Sequence, residues 1–243
     1  MGEHDEVVGQ GVRQTSAVDL PDSITACLFD LDGVLTKTAV VHERAWKKTF
    51  DEFLGDRGTF EDDDYTTYVD GKPREDGIRD FLASRDIHAG EDEVHEISTR
   101  KNDLVLKLIH DEGVDAYPGS LQYIKAAREA GLRRAVVSSS HNAADVLRVT
   151  GLAEYVEMLV DGHVIDALGL RGKPDPDPFL EGARRLDVRP DQAAVFEDAL
   201  SGVEAGHAGK FGCVVGVNRG EHRDLLLRHG AGIVVDDLSE LVR

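Results

Sequence analysis

From residue 118 onward the chain alternates short apolar runs with amphipathic stretches, and few architectures accept that order. ACLFDL at residues 26–31 and, much later, RAVVSS, EMLVD, AAVFED, CVVGV and GIVVDD read as strands, and LQYIKAARE, AADVLRVTG, PFLEGARRL, LSGVEAGHA and HRDLLLRHG read as helices. Strand, helix, strand in repetition predicts an α/β fold with a parallel sheet. Residues 38–113 break the rhythm with four helical patterns, at 38–53, 61–69, 73–84 and 91–110, and no convincing strand. The expected fold is therefore a Rossmann-like parallel-sheet core, residues 21–36 and 115–243, with an inserted all-helical cap domain, residues 37–114, after a mobile tail, residues 1–20. Gly113, Pro118 and Gly119 mark the chain's return from the insertion as a hinge.

Charge narrows the partners. A formal net charge of -19 opposes binding to nucleic acid or to an anionic membrane surface. The opening residues lack the basic start and apolar core of a signal peptide, and no stretch approaches the length of a membrane span. Cys27 and Cys213 each lie in an apolar run without metal-type spacing, which predicts buried free thiols and a reducing cytoplasm. A monomer acting on a small molecule is the expectation.

The strand ends carry the chemistry. Ligands of open parallel sheets bind at the carboxyl ends of the strands. In FDLDGVLT, Asp30 and Asp32 leave the first strand two residues apart, on one side if the strand continues. Two such carboxylates either end a strand in an acidic turn at Gly33 or share a cation. The run VVSSSHNA leads from a strand at Ser138 to a helix near Asn142, a form suited to an anion, although Ser140 or Asn142 could simply cap that helix. The run FEDALSG adds Glu197 and Asp198 at the same edge, and Lys173 in GKPDPDPF is placed to offset their charge. A set of hard oxygen ligands favours Mg²⁺, which commonly accompanies phosphate.

These four segments, in this order, resemble the motifs of the haloacid dehalogenase superfamily of phosphoryl-transfer enzymes, over nearly all of residues 24–243. The resemblance implies that Asp30 is a nucleophile forming an aspartyl phosphate and Asp32 a general acid and base. It also implies that Ser138 and Lys173 hold phosphoryl oxygens, with Mg²⁺ bound by Asp30, Asp198, the backbone carbonyl of Asp32 and Glu197.

Within the insertion, His42 and Trp46 stand four apart on one helix face, which by itself could be a packed pair. Arg74 falls in the first turn of a helix, where a cation opposes the macrodipole unless an anion binds there. Lys101 falls on the apolar stripe of Val94, Ile97, Leu104 and Leu108, and either snorkels or faces the site. Thr38, His42, Trp46, the GKPRED segment with Gly71 and Arg74, and the RKND segment with Lys101 and Asn102 resemble the cap of the β-phosphoglucomutase family. That resemblance implies that Arg74 grips the phosphate distant from Asp30, that Lys101 and Asn142 contact a sugar, with Ser140 in the same segment, and that His42 couples closure to catalysis. Glucose 1,6-bisphosphate would be the priming phosphodonor. A sugar-phosphate phosphatase with the same nucleophile is the alternative. Lys37, and a DGHVIDALGLRGKP segment longer than the pattern, depart from the family.

Overall fold

A computed structural model of the chain describes residues 17–220 and 222–243. Six parallel strands, β1 Ala26–Phe29, β2 Arg133–Val137, β3 Met158–Val160, β4 Ala193–Glu197, β5 Cys213–Val217 and β6 Ile233–Val235, lie in the order β3-β2-β1-β4-β5-β6. All six expected strands form. β1 sits at the centre because it is apolar on both faces: Cys27 and Phe29 enter one core with Tyr123, Val136 and Phe196. Ala26 and Leu28 enter the other, with Val137, Phe179 and Val195. The ring of Phe29 stacks on Phe196 at 4.7 Å, joining neighbouring strands on one face.

Between β1 and β2 lie α1 Thr38–Leu54, the short α2 Asp62–Asp64 running into a π-helix Tyr65–Val69, α3 Arg74–Ser84, α4 Glu91–Glu112 and α5 Pro118–Glu129. α1 to α4 build their own aromatic core from Trp46, Phe50, Phe60, Ile78 and Phe81, separate from the two cores of the sheet. Phe50 meets Phe60 at 5.0 Å and Phe81 at 4.3 Å. On α4 the buried face is Val94, Ile97, Lys101 and Val105, with Leu104 and Leu108 only partly covered against Val105 and Val41. Pro73 stands just outside α3 and leaves Arg74 as its first residue.

The remaining helices, α6 Ala143–Val149, α7 Gly162–Leu168, α8 Asp177–Arg185, α9 Leu200–Ala208 and α10 Arg223–Arg228, connect the later strands. α7 is the helix hidden in the long segment before Lys173; Asp161 starts it by accepting from the Val164 amide at 3.0 Å. The expected tail is shorter at its inner end. Val18 is 1% exposed and bridges to Val242, and the Asp19 amide donates to the Leu241 carbonyl at 2.8 Å, because the end of the chain offers an apolar edge to cover. Residues 1–16 of that tail lie outside the described residues. Cys27 is buried and Cys213, expected to be buried, is only partly so, since it opens a strand near the sheet's rim. No helix among the described residues is long and apolar enough to cross a membrane.

Candidate active site

Strand alternation does not bring Asp30 and Asp32 together, because β1 ends at Phe29. A turn does it instead. The Gly33 amide donates to the Thr36 carbonyl at 2.8 Å, and the Thr36 amide to the Leu31 carbonyl at 2.9 Å. Gly33 takes φ +86, and a Cβ there would lie 1.7 Å from Asp198 Oδ2, so only glycine lets the turn close on the β4 exit. Asp30, Asp32 and Asp198 then line one cavity of about 60 Å³ together with His42, Trp46, Gly71, Arg74, Lys101 and Ser140.

Lys173 is the hub of the buried charge. Its Nζ donates to Asp30 Oδ1 at 2.5 Å, to Glu197 Oε1 at 2.6 Å and to the Val137 carbonyl at 3.2 Å, with 2% of the residue exposed. Burial opposes its charge, but Asp30 and Glu197 together hold its pKa above the ordinary lysine value. Burial raises Asp30 well above the usual carboxylate range; Lys173 works against that rise, and Glu197 and Asp32 add to it. Glu197 also accepts from the Ala199 amide at 3.0 Å, and Gly202 leaves it room, since a Cβ there would meet Oε1 at 1.8 Å.

Asp30, Glu197 and Asp198 each offer an oxygen within 4.8 Å of the others. Enclosure raises Asp198 well above its ordinary pKa, Asp70, Glu197 and Asp30 raise it further, and Arg219 lowers it. An all-oxygen set with this excess of negative charge fits a hard divalent cation such as Mg²⁺. The Asp32 carboxylate stands apart from that set. It accepts from Thr38 Oγ1, which is linked to Thr36 Oγ1 at 2.7 Å, and from Ser138 Oγ at 3.3 Å. Ser138 Oγ in turn accepts from the Ser140 amide at 3.1 Å, and Ser140 Oγ from the Asn142 amide at 3.1 Å. The three residues therefore shape the strand exit of β2 as one turn.

The insertion contributes the other wall. His42 Nε2 lies 3.6 Å from Asp32 Oδ1, and His42 Nδ1 lies 2.8 Å from Lys101 Nζ. Burial, then Lys101, pulls the imidazole down to about 4, so it stands neutral and accepts at Nδ1 from the lysine. Lys101 is itself only 3% exposed; burial and Arg74 hold its pKa well below the ordinary lysine value. Its ammonium sits 4.7 Å over the Trp46 ring, whose main place is the aromatic core of the insertion. Arg74 turns inward: it donates to Asn102 Oδ1 at 2.8 Å and to the Ser98 carbonyl at 3.3 Å. Asn142 Nδ2 donates to the same Asn102 oxygen at 3.0 Å, so sheet and insertion meet there. Arg74, Asn102 and Asn142 also line an adjoining cleft of about 900 Å³, far roomier than the small cavity.

Several residues of the site escaped the sequence reading. Tyr65, Asp70 and Ser139 line the small cavity. Withdrawal from water, helped by Glu197, raises Asp70 to about 7. Arg219, just beyond β5, donates to the Gly33 carbonyl at 2.6 Å and the Val34 carbonyl at 3.1 Å and stacks 3.6 Å over Tyr117. It ties the outgoing and returning connections of the insertion together. Arg219 follows CVVGV closely, but nothing in its local sequence sets it apart from a surface arginine.

The family model for haloacid dehalogenase-like hydrolases matches residues 24–210. The β-phosphoglucomutase of Mycobacterium bovis is 47% identical over 250 residues, covering 94% of this chain and 95% of that protein. That of Bacillus subtilis is 32% identical over 225 residues, covering 88% and 94%. The crystal structure of β-phosphoglucomutase from Clostridium difficile superposes with a TM-score of 0.75 at 26% identity, over 90% of this chain and 93% of that one. With its strand exits arranged as described and relatives matched along almost their whole length, the chain belongs to the haloacid dehalogenase-like hydrolase family and, within it, to the β-phosphoglucomutase group.

Proposed function

We infer that this protein is a Mg²⁺-dependent β-phosphoglucomutase, interconverting β-D-glucose 1-phosphate and glucose 6-phosphate through an aspartyl phosphate on Asp30 and a glucose 1,6-bisphosphate intermediate. The observation that carries the reading is the pairing of two cationic groups around one cavity system: Lys173 beside Asp30 on the sheet, and Arg74 on the insertion. A mutase must hold two phosphates at once, whereas a hydrolase needs only one. The relatives named β-phosphoglucomutase add to that support.

The positions of the side chains support the following roles. Mg²⁺, held by Asp30, Asp198 and the Asp32 carbonyl, with Glu197 beside them, would neutralise charge on the transferring phosphoryl group. Lys173, fixed by Glu197, presents a second positive charge to the same oxygens, and Ser138 stands at the helix-side exit of β2. Asp30 attacks phosphorus, the bond to the bridging oxygen breaks, and the sugar oxygen takes its proton from Asp32. In the return direction Asp32 removes a proton from the attacking sugar hydroxyl. Thr38, and His42 backed by Lys101, keep the Asp32 carboxyl aimed at that oxygen. Arg74 holds the far phosphate while Lys101, Asn142 and Ser140 border the sugar, with Trp46 and Gly71 shaping the wall. Closure of the insertion as a cap excludes water from the aspartyl phosphate, which separates transfer to sugar from hydrolysis. The test is the ratio of glucose 6-phosphate to free phosphate formed from β-glucose 1-phosphate.

A further inference from the structure

The seam between sheet and insertion contains two hydrogen bonds that the proposed chemistry leaves unused. Ser139 Oγ, at the exit of β2, donates to the Gly71 carbonyl at 2.8 Å across 68 positions of chain. Ser201 Oγ, on the second residue of α9, donates to the Asp70 carbonyl at 2.8 Å across 131 positions. Two serines from different strand exits therefore hold consecutive carbonyls of one short segment, the link between the π-helix and α3. Neither carbonyl belongs to a helix or a strand, so each needs a partner from elsewhere.

The surrounding contacts fit the same seam. Gly71 takes φ +70, and a Cβ there would lie 2.5 Å from Ser201 Oγ and 2.9 Å from the Ala199 Cβ. One step further, a Cβ on Gly172 would lie 2.0 Å from Pro73 Cγ. The two glycines thus let this segment pack closely against side chains of the neighbouring element, and at that spacing the serine hydroxyls reach the carbonyls. The segment leads directly into Arg74, whose guanidinium is fixed to Asn102. Its placement decides where that guanidinium stands relative to the sheet.

We propose that Ser139 and Ser201 are positioning residues that latch the insertion in its closed arrangement through the Asp70 and Gly71 carbonyls and thereby set Arg74 for the second phosphate. The use of Arg74 rests on the mutase reading; the latch itself does not. Both hydroxyls are engaged by carbonyls of the insertion, and their contribution is to the population of the closed arrangement.

The test compares Ser139→Ala, Ser201→Ala and the double variant with wild type in the full chain. Amide hydrogen exchange at residues 70–72 and 74, measured without substrate, should rise roughly two- to tenfold for each serine removed, with the double variant showing the product of the two effects. The melting temperature should hold within about 2 °C, because a local opening leaves both cores packed. With β-glucose 1-phosphate, KM should rise over roughly the same range while kcat at saturation stays within about twofold. Unchanged exchange at 70–72 and 74 in the double variant overturns the latch, whatever the activity. Faster exchange in variants of a protein that releases only free phosphate supports the latch and removes the mutase reading alone. Ser139→Ala, at a partly exposed position, keeps the test available if Ser201→Ala fails to fold.

Discussion

Lys173 Nζ and Asp30 Oδ1 lie 2.5 Å apart in the sealed floor of the site, the two residues 143 positions apart in sequence. The same ammonium serves Glu197, so one cation answers two buried carboxylates. Replacing Lys173 by Met leaves both uncompensated. The variant should lose about 3–5 kcal/mol in urea denaturation at pH 7 without Mg²⁺, and added Mg²⁺ should restore part of that loss. A loss below about 1 kcal/mol would mean that the pair contributes little to folding.

Arg74 is the guanidinium of the far wall. Arg74→Ala should lower sugar-phosphate turnover tenfold or more, on the order of the 1.5–3 kcal/mol of a charge-assisted hydrogen bond. Labelling of Asp30 by acetyl phosphate, which carries no second phosphate, should largely survive. Equal losses with both donors would reassign Arg74 to support of the fold.

His42 gives a pH signature. Burial, with Lys101 beside it, lowers the imidazole from its ordinary 6.5 to about 4. Between those values the unfolded chain binds a proton that the folded chain refuses. The contribution is therefore complete above pH 6.5 and is lost as pH falls through about 4. From pH 7 to pH 4.5 the wild type should lose on the order of 2 kcal/mol more stability than His42→Gln, by urea denaturation at each pH. Parallel pH curves for the two proteins would place the titration elsewhere.

The proposed function divides the work between Asp30 and Asp32. Asp30→Asn should abolish both turnover and covalent phosphate. Asp32→Asn keeps the backbone carbonyl, and its turnover of the sugar phosphate should fall roughly 10²- to 10⁴-fold. Acetyl phosphate has a good leaving group, so intact-protein mass on ice with Mg²⁺ should still show a phosphate on Asp32→Asn. Near-normal turnover by that variant would cancel the acid–base role.

Much of the fold was legible because periodicity reports burial. β1 is apolar on both faces, as only a central strand can be, and the helices of 38–112 repeat their apolar residues at helical spacing. α7 was not legible: its run GHVIDAL begins two residues after β3, and the Asp161 cap shows only once that strand is placed. Site residues announced themselves where they broke a pattern, as Asp30 does in an apolar run and Lys101 does on an apolar stripe. Arg219, Ser139 and Ser201 break none. Their partners are backbone carbonyls remote in sequence, which no local pattern encodes.

The central claim is that Asp30 passes its phosphoryl group to a sugar in preference to water. The direct measurement supplies β-glucose 1-phosphate, Mg²⁺ and a trace of glucose 1,6-bisphosphate, and follows glucose 6-phosphate and free phosphate separately. The account predicts glucose 6-phosphate in large excess, little reaction of the α anomer, and a rate that depends on the bisphosphate trace. Free phosphate as the main product, formed at the same rate with or without bisphosphate, would contradict it and make the protein a phosphatase.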